Sequence, residues 1–107
     1  MKLLTKAVEK SLPELYSQEK NPDPQVVLHF FNPCGAGDWW ITEGGWEPDS
    51  SDFTFFGLCD LGMGYPELGY VSLNELQSVK GPFGIGIERD LHWAAKPLSI
   101  IKEKVGA

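Results

Sequence analysis

Residues 38–60, DWWITEGGWEPDSSDFTFFGLCD, decide the fold. They hold three of the four tryptophans (Trp39, Trp40, Trp46) and three of the six phenylalanines (Phe53, Phe55, Phe56). The pattern predicts two strands, Trp39 to Thr42 and Phe53 to Leu58, joined by a loop of Gly, Pro, Asp and Ser. Side chains alternate along a strand, so Trp39 and Ile41 oppose Trp40 and Thr42, and Phe53 and Phe55 oppose Phe56 and Leu58. Strands apolar on both faces belong in the middle of a sheet covered above and below, or else leave a sticky patch. The stretch also carries Asp38, Glu43, Glu47, Asp49, Asp52 and Asp60, and no Lys or Arg.

That charge pattern extends outward. Residues 1–20 carry four Lys and three Glu, and residues 80–107 carry four Lys and Arg89 against Glu88, Asp90 and Glu103. Residues 21–79 carry nine carboxylates and no Lys or Arg, which accounts for the net charge of −6. Phosphate backbones and anionic membranes need cations, so neither is a partner for this segment. A basic protein surface, including one that normally holds nucleic acid, is attracted instead. The plainer reading is an acidic surface that keeps the protein soluble.

At 107 residues the chain is one domain, 1–107, with an ordered globular composition and no repeat. No apolar run is long enough to span a membrane, and MKLLTKAVEK lacks the apolar block of a signal peptide. A cytoplasmic location is expected, with Cys34 and Cys59 as free, partly buried thiols.

Working along the chain, residues 3–11 predict a helix with Leu3, Leu4, Ala7 and Val8 inward. LPELY (residues 12–16) predicts a short second turn whose Leu12, Leu15 and Tyr16 cap the core. NPDP (residues 21–24) is a loop. Gln25 to Phe31 predicts a strand with Val26, Leu28 and Phe30 on one face, and Gly69 to Ser72 a fourth short strand. Ser72 and Glu75 have capping-box spacing, which starts a helix to about Val79 that Gly81-Pro82 stops. Pro97 opens a last helix, Leu98 to Val105. The fold expected is α+β: a twisted antiparallel sheet of four or five strands covered by short helices.

Chemical motifs are sparse. His29 lies mid-strand and His92 in ERDLHW, without metal-ligand spacing, so no metal is expected and each histidine reads as satisfied by a backbone carbonyl. Gly84-Ile85-Gly86 lacks the third glycine of a dinucleotide loop, and Gly62-Met63-Gly64 has no P-loop Lys after it. Cys34 has no catalytic-cysteine surroundings. Arg89, the one arginine, reads as an internal ion pair with Asp52, Asp60 or Glu67, or as an anion anchor beside His92 and Trp93. Trp46 and Tyr65 sit in polar loops, where they either fold back onto the core or stand out as interface anchors.

The order LPELY, FF-P, W-x-x-TEG, D-F-x-FFGL-x-D, ELGY-x-SL-x-EL, GP-G-I-ERD-L-H-W and KPLS, from about Leu12 to Ser99, resembles the small prokaryotic family labelled domain of unknown function 2958. The resemblance implies a setting in bacteria, plasmids and phages, often beside mobile-element genes, and it assigns no reaction. The helix before Leu12 and the tail after Ser99 lie outside the pattern so read. Its polar blocks fall here on Thr42, Glu43, Gly44, Glu67, Glu88, Arg89, Asp90 and His92, as a site or as a buried hydrogen-bonded scaffold.

The function expected is a non-catalytic acidic protein-interaction module of a mobile element or phage. Its sharpest version is an anti-restriction or anti-CRISPR inhibitor that occupies a basic surface of a host protein, as a monomer or homodimer and without a cofactor. Glu43, Trp46, Glu47, Asp49, Asp52 and Asp60 are its contact candidates. The alternative is a small enzyme or ligand-binding domain using Thr42, Glu88, Arg89, Asp90 and His92, which requires those residues to converge on a concave pocket.

Overall fold

A computed structural model describes all of residues 1–107. The aromatic hairpin forms as expected: β3 (Asp38–Trp46) and β4 (Phe53–Asp60) lie antiparallel in the middle of a five-stranded sheet. With β1 (Gln25–Val26), β2 (Leu28–Phe31), β5 (Glu67–Ser72), β6 (Glu88–Arg89) and β7 (Lys96–Pro97), the sheet order is β5-β4-β3-β2-β6. A two-stranded β1–β7 ribbon stands beside it. Consecutive antiparallel neighbours make β2 to β5 a meander, as hairpin-length links require.

Both faces of the central strands are covered. On one, Leu28, Phe30, Ile41, Phe53 and Phe55 pack with Leu3, Val8 of α1 (Lys6–Ser11) and Leu76 of α2 (Leu73–Ser78). On the other, Trp40 and Leu58 pack with Val26 and with Leu98 and Ile101 of α3 (Leu98–Val105). Phe55 has no exposed surface, and truncating such a side chain to alanine costs about 3–5 kcal/mol.

One irregularity shapes everything around it. The β3–β4 register slips between Ile41 and Glu43, leaving Thr42 as the extra residue of a bulge. Thr42 is buried and its hydroxyl donates to the Phe56 carbonyl at 3.2 Å. Across from it, a Cβ on Gly57 would lie 1.9 Å from the Trp40 carbonyl oxygen, so only glycine lets the strands close there. Past the bulge β3 keeps pairing with β4 as far as Trp46 opposite Phe53, where the sequence reading stopped at Thr42. Trp46 is therefore a strand residue rather than a loop residue. Its ring packs edge-on to Phe53 at 5.2 Å, and its indole N–H donates to Glu9 of α1 at 2.9 Å.

The first expected strand is also broken, next to the slip. Val27 donates to the Ile41 carbonyl at 2.9 Å, and the chain before it leaves the sheet to pair with β7. Val26 thus packs under α3, while Leu28 and Phe30 pack on the opposite face, so the three do not share one side. α1 is shorter than expected because Thr5 caps it, its hydroxyl accepting from the Val8 amide. Residues 15–20 form turns rather than a helical turn, and Tyr16 is exposed instead of capping the core. The Ser72–Glu75 capping box forms with both bonds, at 3.0 and 3.1 Å. α3 borrows its cap: Asp23, in the NPDP loop, accepts from the Ser99 amide and hydroxyl at 2.8 and 2.7 Å.

Candidate functional site

No carboxylate lies within 4.0 Å of a Lys or Arg nitrogen; the only side-chain ion-pair contacts are two made by His29. In a chain with fifteen acids and nine Lys and Arg, this leaves the acidic surface without local neutralisation by ion pairs.

At the hairpin tip, Glu47, Asp49 and Asp52 stand together, and two of them also hold the turn. Asp52 accepts from the amides of Phe53 and Asn74 at 2.8 and 3.1 Å. Glu47 accepts from the Thr54 hydroxyl. Asp49 is exposed in the left-handed region, φ +59°, and makes no side-chain hydrogen bond. Asp60 is not with them: it lies at the far end of β4, about 23 Å along the strand, opposite Asp38.

Glu43 points the other way. It is 2% exposed, and its two oxygens accept from the backbone amides of Tyr16 at 2.8 Å and Gln18 at 3.0 Å. The carboxylate thereby clamps the 15–20 turn onto the sheet and holds Tyr16 at φ +70°, a conformation non-glycine residues seldom adopt. Tyr16 then projects outward, its ring 6.3 Å from that of Tyr70 on β5, with both about half exposed. Tyr70 in turn packs on Phe56 at 4.7 Å. Partial burial raises the Tyr70 hydroxyl above the ordinary tyrosine value, and the neighbouring Tyr16, Glu43 and Glu19 add to the shift. Between the tyrosines a cleft of about 220 Å³ opens, walled by Glu47 and Glu75.

The alternative residues do not assemble. Thr42 lies under the bulge, in the wall of a neighbouring pocket with Glu43, Phe56 and Tyr70. Glu88 and Arg89 are on β6, where cross-strand pairing puts Arg89 opposite Phe30 and Glu88 opposite Phe31. Arg89 makes no ion pair with Asp52, Asp60 or Glu67; its guanidinium donates only to the Lys2 carbonyl at 3.4 Å, and its Nε has no partner. β6 is one edge of the sheet, whereas Asp60 on β4, Asp52 just before it and Glu67 on β5 lie beyond the intervening β2 and β3, out of reach of the Arg89 side chain. His92 is exposed, with its amide donating to Asp90.

His29 is the surprise at the opposite end. It is held by carboxylates and not by a backbone carbonyl: Nε2 lies 2.8 Å from Asp38 and Nδ1 3.2 Å from Asp90. Its ring stacks on Trp40 at 5.3 Å and 5°, with Trp93 tilted against it at 5.1 Å. Burial of Asp90 opposes its ionisation, but the bonds from His29 and the His92 amide, with both imidazoles nearby, bring its carboxyl below the usual range. Both ring nitrogens are engaged, so His29 has none free to act as a general base. No group of three or more His, Cys, Asp or Glu side chains, this one included, is arranged to hold a metal ion. Cys34 is exposed, while burial pushes the half-buried Cys59 thiol up to about 11, with Glu75 adding to it.

Tyr16 and Tyr70 were missed from the sequence as site residues. The ELGY block placed Tyr70 on a strand, but nothing local shows that Glu43 delivers Tyr16 beside it. The family described as "Protein of unknown function (DUF2958)" matches residues 3–105, so α1 and α3 belong to the shared pattern along with the Leu12–Ser99 blocks. No curated protein and no solved structure matches the chain.

Proposed function

The chain belongs to the DUF2958 family, and for it we propose a non-catalytic role as an acidic module that binds a basic protein surface. The observation that carries this reading is that no Lys or Arg pairs with any carboxylate, although residues 21–79 hold nine acids. Glu47, Asp49 and Asp52 face the partner at the hairpin tip, whereas Glu43, buried under the 15–20 turn, makes no contact with it. Asp60 lies at the opposite end and takes no part. The finer version is an inhibitor of a nucleic-acid-binding host protein, in the anti-restriction or anti-CRISPR class, carried by a mobile element or phage and working in the cytoplasm. Its support is electrostatic: a surface that fits a phosphate backbone also fits an array of carboxylates. No helix is long and apolar enough to cross a membrane.

The test is capture of partners from host lysate by the immobilised protein at low and high salt. Capture should weaken as salt rises and should be displaced by competing nucleic acid. Asp49→Lys should weaken it, and reversing Glu47, Asp49 and Asp52 together should abolish it, with circular dichroism checking the fold because Glu47 and Asp52 also brace the turn. Capture indifferent to salt and to Asp49→Lys refutes the proposal.

A further inference from the structure

We propose that the cleft between Tyr16, Tyr70, Glu47 and Glu75 receives an arginine side chain, presented by an extended segment of the partner lying along the outer edge of β5. This deepens the basic-partner reading and rests on it.

Three independent features meet at the cleft. First, its walls combine two half-exposed aromatic rings with two carboxylates and contain no Lys or Arg. Each carboxylate uses one oxygen internally, Glu75 for the Ser72 amide and Glu47 for the Thr54 hydroxyl, which leaves the other free to accept. A guanidinium is flat, carries five N–H donors in a fork, and stacks on aromatic faces, so it uses both kinds of wall at once. Second, β5 is an outer strand of the sheet, with exposed Glu67, Leu68 and Tyr70, and its outer edge is paired with no other strand. An extended chain can add there by main-chain hydrogen bonds. Third, the backbone is held in an unusual state to build the cleft: the buried Glu43 carboxylate keeps Tyr16 left-handed and outward.

Elsewhere the molecule contains aromatic surfaces that the chain covers with its own basic group. At His29 a flat ring stacks on Trp40 between two carboxylates. At Trp93 the Lys96 ammonium lies 4.4 Å from the ring centre. In both places the chain provides its own basic group. At the tyrosine cleft it provides none, and Lys102 lines only the adjoining pocket, beside Asp23.

The experiment titrates the full chain, labelled for amide NMR, with a capped heptapeptide alternating arginine and valine, and with its lysine counterpart. The arginine peptide should shift the amides of Tyr16, Thr54, Tyr70 and Val71 and bind about tenfold more tightly than the lysine peptide. Tyr70→Ala should weaken it by a similar factor, and Tyr70→Phe should retain it. Salt-sensitive binding that shifts only the hairpin tip, or that ignores Tyr70→Ala, or equal affinity for both peptides, overturns the arginine receptor while leaving the basic-partner reading standing. No binding of either peptide at low salt overturns both.

Discussion

The two ends of the sheet use the same materials to opposite effect. At the β2–β6 end, Asp38 and Asp90 face aromatic rings and close on His29, so the carboxylates are satisfied from within. At the β5 end, Glu47 and Glu75 face Tyr16 and Tyr70, and the chain brings no basic group to them. The first arrangement stitches β2 and β3 to the segment after β6 and is structural. The second holds Tyr16 in a left-handed conformation and lines one cleft with two carboxylates, at a cost in fold stability. On the reading proposed above, the β5 end is the one that meets a partner: net charge alone says little, whereas acids left open beside ordered aromatics suit a cation from another molecule.

The bulge at Thr42 separates the two ends, so destroying it should abolish the contrast altogether. Gly57→Ala sets a methyl group against the Trp40 carbonyl and should destabilise the fold by about 3 kcal/mol or more, measured by urea denaturation. A neutral effect would mean that the strands can part there at little cost.

Glu43→Ala should cost about 2–4 kcal/mol, because the Tyr16 and Gln18 amides lose a charged acceptor. It should also release Tyr16 from its left-handed state and remove arginine-peptide binding, while leaving amide shifts around His29 unchanged. Disturbance at both ends would show that they are not independent.

The smallest effect is expected in acid. Asp90 titrates lower in the folded chain than its ordinary 3.8, so the unfolded chain binds the proton first. Its contribution is therefore complete above that ordinary value and is lost as pH falls through the lower folded value. Urea midpoints between about pH 5 and about pH 2 should fall more steeply for the natural chain than for Asp90→Asn. Identical slopes would remove His29–Asp90 from the account.

Much of the architecture was legible because period-2 runs such as FTFFGL declare both faces of a buried strand, and because Ser72 and Glu75 announce a helix start. The bulge was not, since one extra residue in β3 leaves the local alternation plausible on either side of it. Nor were the true end of β3, whose Gly44-Gly45 reads as a loop, or the pairing of Gln25 and Val26 with β7, which turns Val26 toward α3. Site residues divided the same way. Asp49 and its neighbours are readable as a loop of acids, whereas Glu43 looked like one more of them. Only the fold shows it buried beneath a turn twenty-five residues earlier in the chain. Arg89 failed for the same reason: charge suggests pairing, but distance in space decides it.

The claim beneath all of this is that acidic repulsion on the surface is not offset by internal ion pairs. The direct measurement is the urea midpoint at neutral pH as sodium chloride rises from low concentration to about 1 M, where screening leaves a range of only about 3 Å. The account predicts that stability increases with salt, most steeply at the low end, as repulsion among the carboxylates is screened. A midpoint that falls with salt would mean that lysine–carboxylate attraction holds the surface together, and would contradict it.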